Sequence, residues 1–231
     1  VSNQEVATGV KPNPADDFVA PPCKEAIEIL YEDSSILLIN KPSGLLSLSG
    51  KNPLNKDSVH HRLVQTHPSA RLLHRLDLGT SGIMLIALNK AANTALTKQF
   101  QARSIKKQYT AVLLGHLEKD QLMIQAPVAR GLFPRQVICE ETGKPASSQL
   151  KVVEILNKPA RSRVIFSPLS GRTHQLRIHS QWIGHPILGC DLYGTQESET
   201  LAPRLLLHAN KLSFRHPDTE QELTIECTCP F

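Results

Sequence analysis

The run Ile83-Met84-Leu85-Ile86-Ala87-Leu88 most narrows what this chain can fold into, because six successive apolar residues read as a buried strand. Directly before it stands Leu73-His74-Arg75-Leu76-Asp77-Leu78-Gly79-Thr80-Ser81-Gly82, which sets a lone carboxylate, Asp77, between a polar run and that strand. Thr80, Ser81 and the two glycines suit a tight loop in which backbone N–H groups approach a ligand. A carboxylate preceded by Arg75 and held at the mouth of a strand is a reasonable nucleophile or base. The residues alone fit a structural cap as well, since aspartates in such turns commonly bond their own backbone.

The remaining pattern is one of short strands and few helices. Ile36-Leu37-Leu38-Ile39 is an apolar run stopped by Asn40-Lys41-Pro42-Ser43-Gly44, a strand followed by a turn. Lys90 to Arg103 places Ala92, Leu96 and Phe100 on one helical face, with Asn89 as N-cap. Strands are expected over Tyr109–Leu114, Leu150–Leu156, Arg163–Phe166, Leu205–Leu207, Leu212–Phe214 and Leu223–Cys227. Thr173 is placed to cap a helix through Ile183, ended by Gly184. Strands outnumber helices and arrive in clusters, which argues for an α+β fold with a mixed or antiparallel sheet. Residues 1–26, polar and punctuated by Pro12, Pro14, Pro21 and Pro22, read as a flexible arm, and 27–231 as one catalytic-sized domain.

Charge and cysteine usage bound the partners. A net charge of +5 favours a polyanion. Five scattered cysteines imply free thiols in a reducing cytoplasm rather than a disulfide framework. No apolar run approaches the roughly 20 residues of a membrane span. His60, His61, His174, His179 and His185 lack metal-site spacing, so no metal is expected.

His74-Arg75-Leu76-Asp77 with Thr80-Ser81-Gly82 resembles the signature of the RluA-type RNA pseudouridine synthases. Ser170-Gly171-Arg172-Thr173-His174-Gln175-Leu176-Arg177-Ile178-His179, followed by Gly184-His185-Pro186-Ile187-Leu188-Gly189, is similar to the family's second diagnostic segment. The resemblance runs from about Ile29 to about Phe214. It implies one extended sheet with flanking helices around a central RNA-binding cleft. It also implies isomerisation of uridine in structured RNA, with no cofactor or metal, because nothing is oxidised and no energy is supplied.

In that setting Asp77 is the expected catalytic carboxylate, able to attack C1′ or the base or to take a sugar proton. Burial would raise its pKa and a nearby cation would oppose the rise; the resemblance assigns that cation to Arg177. It likewise places Tyr109 to stack on an extruded uracil and to exchange a proton at C5. Arg75 is the candidate to fill the gap left by the flipped base. RNA contacts are expected from His74, Thr80, Ser81, Arg172 and His174. Phosphate tracking falls to Lys98, Arg103, Lys106 and Lys107, and to Arg130, Arg135 and Lys144 in an irregular segment from Arg130 to Pro145.

The chain has no room for the S4-type RNA-binding module of some relatives, so specificity is expected within the catalytic domain. The short form, with Glu141-Thr142-Gly143-Lys144-Pro145 and Ala202 to Ala209, resembles bacterial members that modify both a large-subunit (23S) ribosomal RNA hairpin and a tRNA anticodon stem-loop. A monomer acting on RNA in the bacterial cytoplasm, without DNA or membrane partners, is the expectation. The alternatives are a tRNA-only member of the family, a non-catalytic RNA-binding protein on the same fold, and a hydrolase. The last would call for a second carboxylate that neither signature supplies.

Overall fold

Successive residues of two central strands face two different cores in turn, and this settles where the sheet lies. In the computed structural model, which describes residues 17–231, β1 (Glu28–Glu32) pairs antiparallel with β2 (Ile36–Lys41), and β2 with β4 (Ser81–Ala87), on whose far half β3 (Arg71–Leu72) also pairs. Ile36, Leu38, Ile83, Leu85 and Ala87 face one core, and Leu37, Ile39, Met84 and Ile86 face another. Both faces of β2 and β4 are therefore covered, which is why these segments read as unbroken apolar runs.

The first of those cores is closed by α2 (Lys90–Gln101) through Ala92 and Leu96. Asn89 caps this helix, accepting from the Ala92 N–H at 2.8 Å. The helix ends at Gln101, and Arg103 turns out of it with φ 56°. The second core is closed by α1 (Val59–Leu63) through Val59 and Leu63.

The sheet continues through β5 (Lys106–Leu114), β6 (Gln121–Gln125), β9 (Ser147–Asn157), β10 (Ala160–Pro168), β11 (Leu207–Arg215) and β12 (Glu222–Glu226). Among the described residues ten strands form one sheet in the order β1-β2-β4-β11-β5-β10-β9-β6, with β12 on β11 and β3 on β4. Only the β4–β11 pairing in it is parallel; the other pairs are antiparallel. A third core, with Phe166, Val164, Leu113 and Leu150, lies beneath α3 (Gln175–Trp182). A further helix, α4 (Gln196–Thr200), starts at a capping box formed by Thr195 and Ser198. The α+β fold with a mixed sheet is as expected.

Four expectations need correction. The Arg130–Pro145 segment is not irregular throughout: β7 (Val128–Arg130) and β8 (Gln136–Ile138) make a two-stranded ribbon. Thr173 does not cap α3. His174 occupies that position with left-handed φ 56° and no side-chain cap bond. Gly82 lies in β4 and not in the loop: at φ 113° a Cβ there would stand 2.3 Å from the Ala209 carbonyl oxygen, so its hydrogen lets β4 and β11 meet. The arm expected over 1–26 falls outside the described residues up to residue 16. Beyond that it is docked, with the Asn55 amide bonding the Phe18 carbonyl at 2.6 Å and Arg62 bonding the Cys23 and Glu25 carbonyls.

Candidate active site

Asp77 sits in a loop pinned on both sides. Ser47 Oγ donates to the Leu76 carbonyl at 2.7 Å and accepts the Leu76 N–H at 3.1 Å. On the other side the Leu78 carbonyl accepts the Gly44 N–H at 2.8 Å and Lys41 Nζ at 3.2 Å. Leu76 is buried in the core, so the carboxylate of the next residue projects into a cleft of about 740 Å³. Clefts of that size suit a ligand of nucleotide dimensions.

Lys41 is the residue that sequence reasoning missed here. It is fully buried, and its ammonium also donates to the Pro42 and Leu45 carbonyls at 2.9 and 2.7 Å. Burial pulls its pKa down to about 7, against the attraction of Asp77. Its only signal in the sequence is a lysine closing an apolar strand just before a proline turn.

The second signature segment meets the first across this cleft. Gln175, buried at the start of α3, accepts from Ser170 Oγ and the Arg172 N–H and donates to the Ser147 carbonyl and Ser148 Oγ, all within 3.0 Å. These four bonds lock the loop before α3 onto the start of β9. From that helix Arg177 reaches Asp77, Nη1 to Oδ2, at 3.8 Å, with its side chain 5% exposed. Its other nitrogens are held elsewhere: Nη2 forms an ion pair with Asp191, and Nε and Nη2 each lie 3.5 Å from Cys190 Sγ. Burial works against its charge, but Cys190, Asp77 and Asp191 outweigh this and raise its pKa. Asp191 was not found from the sequence, since an acid two residues after a glycine has no distinctive spacing.

His174 completes the floor. Its Nε2 stands 3.9 Å from Asp77 Oδ1, and its Nδ1 lies 2.8 Å from the Tyr193 hydroxyl. The Tyr193 oxygen accepts the Gln136 N–H at 2.7 Å, so we assign the hydroxyl proton to Nδ1 and the ring proton to Nε2, facing the carboxylate. Burial lowers the His174 pKa against the attraction of Asp77, with Arg177 adding to the fall, so Arg177 is the standing cation beside Asp77.

Tyr109 lines the same cleft from β5. Burial first, then Asp77, raises its pKa far above the ordinary phenol value, so its hydroxyl keeps its proton and acts as a donor. His74 is spent in part on structure: its Nε2 accepts the Leu85 N–H at 3.0 Å and its ring packs on Phe100 at 5.1 Å. Burial, with Lys107, pushes its pKa down to about 3.

Arg75, Thr80, Lys107, Arg172 and Arg103 all line the cleft, Arg75 and Arg103 being exposed. Burial lowers the Lys107 pKa. Ser81 is turned away, its hydroxyl accepting from Arg204 at 2.5 Å and paired with His208 Nδ1 at 2.8 Å. Lys106, Arg130 and Arg135 are exposed outside the cleft lining, Lys106 at the start of β5 and the two arginines on the β7–β8 ribbon. Of the remaining histidines, His179 bonds Ser148 and Ala126 and His185 bonds Leu114, all within the fold. Among the described residues no group of three or more His, Cys, Asp or Glu is gathered to hold a metal ion.

Comparison with known proteins fits this geometry. The profile of the RNA pseudouridylate synthase family matches residues 35–182. The dual-specificity RNA pseudouridine synthase RluA of Escherichia coli (strain K12) is 42% identical over 213 residues, covering 91% of this chain and 97% of that protein. The protein of the same name from Yersinia pestis is 42% identical over 205 residues, covering 88% of this chain and 99% of its own length. Among solved structures, human RNA Pseudouridylate Synthase Domain Containing 1 superposes with a TM-score of 0.76 at 30% identity, over 91% of this chain and 86% of that one. On the profile match and this identity along most of its length, the chain belongs to the RluA-type RNA pseudouridylate synthase family.

Proposed function

We propose that this enzyme converts specific uridines to pseudouridine in both a 23S ribosomal RNA hairpin and a tRNA anticodon stem-loop, acting as a monomer in the bacterial cytoplasm. The observation that carries the reading is the meeting in one cleft of Asp77 with Arg177 at 3.8 Å, His174 at 3.9 Å and the Tyr109 ring. The target uridine leaves its stack to reach that cleft, and Arg75 takes its place. The N1–C1′ bond breaks, the uracil turns, and a C5–C1′ bond forms; N1 gains a proton and C5 loses one, so atoms balance with no co-reactant. Either first step, attack by Asp77 or removal of a sugar proton, needs an ionised carboxylate, and Arg177 stands 3.8 Å away as its paired cation. Tyr109, protonated, stacks on the base and exchanges the proton at C5. The base-contacting surface lies within the 27–231 domain, with Arg172, Lys107 and Arg103 as phosphate partners and Lys106, Arg130 and Arg135 as outlying ones. Relatives named for dual specificity support two RNA substrates.

The test is incubation with unmodified tRNA and ribosomal RNA, scoring pseudouridine by mass spectrometry after cyanoethylation. Product on both RNAs, reduced to background by Asp77→Ala with RNA binding retained, is the expected result. Product on tRNA alone would replace the dual reading with the tRNA-only one, and binding without product would leave an RNA-binding protein.

A further inference from the structure

Two aromatic rings that line the cleft, Tyr109 and Phe133, are engaged by no other ring among the described residues, and Tyr109 is the one already assigned to the target uracil. Phe100 and His74 pack on each other, and His174 meets Tyr193 edge-on at 5.6 Å. Phe133 lines the cleft yet is 49% exposed, and its neighbour Leu132 is 88% exposed. Two adjacent large apolar residues held in water are costly unless a partner covers them. A closed turn presents them. They form the tip between β7 and β8, closed by the Gly131 N–H to the Arg135 carbonyl at 3.1 Å and the Arg135 N–H to the Leu132 carbonyl at 2.8 Å. Exposed Arg130 and Arg135 flank the tip, so its surroundings suit a polyanion.

The tip is moreover tied to the chemistry. The Gln136 N–H beside it binds the Tyr193 hydroxyl, which binds His174, which faces Asp77.

We propose that the β7–β8 tip is a stacking finger: Phe133 takes the face of an unpaired nucleobase next to the target uridine, and Arg130 and Arg135 hold the flanking phosphates. The inference rests on the RNA reading above and adds the group that reads the neighbouring nucleotide. A flat aromatic ring suits this because every base offers a π-face, and stacking on one such ring is commonly worth several-fold to a hundredfold in affinity.

The experiment uses the full chain with an anticodon stem-loop carrying 2-aminopurine at each position flanking the target uridine in turn. Wild-type protein is expected to form pseudouridine and to change the probe fluorescence at one flanking position. Phe133→Ala is expected to raise KM about tenfold or more, leave kcat within about threefold and abolish the fluorescence change. Phe133→Trp is expected to restore both, and Phe133→Leu to restore neither. Rescue by leucine would overturn stacking in favour of plain apolar packing, and an unchanged KM in Phe133→Ala would overturn the finger altogether while leaving the pseudouridine reading intact. Wild-type protein that made no pseudouridine on any RNA would overturn both.

Discussion

Arg177 serves two carboxylates with unequal claims on it. Its pairing with Asp77 at 3.8 Å is partly shielded from water, the arginine side chain being 5% and the aspartate side chain 27% exposed. Asp191 lies closer, but its side chain is 70% exposed, so solvent discounts the pair to less than about 1 kcal/mol. The two partners should therefore separate in kinetics. Arg177→Met, which keeps much of the volume and removes the charge, is expected to lower the single-turnover rate by about a hundredfold or more. Asp191→Asn is expected to lower it by less than about tenfold. Equal losses in the two variants would mean that Asp191 sets the geometry of the site and that the Asp77–Arg177 attraction is not what matters.

At the scale of elements, α2 shows how a local signal becomes a global one. Asn89 accepts the Ala92 N–H at 2.8 Å and donates to Ser35 Oγ at 2.9 Å, so one side chain both caps the helix and ties it to the start of β2. Asn89→Ala should cost about 1 to 2 kcal/mol, read as a lower urea midpoint with activity at saturating RNA unchanged; a shift below about 0.3 kcal/mol would show that the Ser35 tie and the cap contribute little. This cap was readable because its partners lie within four residues. By contrast, β11 reads in the sequence as two separate strands. The polar pair Asn210-Lys211 interrupts its apolar run, where the structure accommodates a register shift between Ala209 and Lys211. The β7–β8 ribbon was unreadable for a related reason: three-residue strands set among Gly131, Pro134 and Gly143 carry too little periodicity. The site divides in the same way. Asp77, Arg177 and Tyr109 could be picked out because they stand inside recognisable segments. Lys41, Asp191 and Tyr193 act through contacts that exist only once β2, α3 and the loop after it are packed together.

At the scale of the whole molecule, a half-buried histidine, His74, and a buried one, His208, bracket the central strands. His74 accepts a β4 N–H, and His208 on β11 pairs with Ser81 at the start of β4. Burial, with Lys107 beside one and Arg204 beside the other, pushes their pKa values down to about 3 and about 4. An unfolded histidine titrates near about 6.5. Between about pH 6.5 and pH 4, therefore, the unfolded chain binds protons that the folded chain refuses, and stability falls as pH falls. Above about pH 7 neither histidine contributes to the slope. The loss approaches about 1.4 kcal/mol per pH unit for each histidine, or about 4 kcal/mol for the pair on going from pH 7 to pH 5, a large part of the 5–15 kcal/mol typical of a domain. Because both residues grip the loop and strands beneath Asp77, acid should unfold the sheet and the active site in one transition. Urea titrations at pH 7 and pH 5, followed by far-UV circular dichroism and by activity, would show coincident midpoints that drop together. His208→Gln should remove about half of the drop. A midpoint that held steady down to pH 5 would mean that the folded protein admits those protons, and that the histidines are not the strained neutral groups their burial requires.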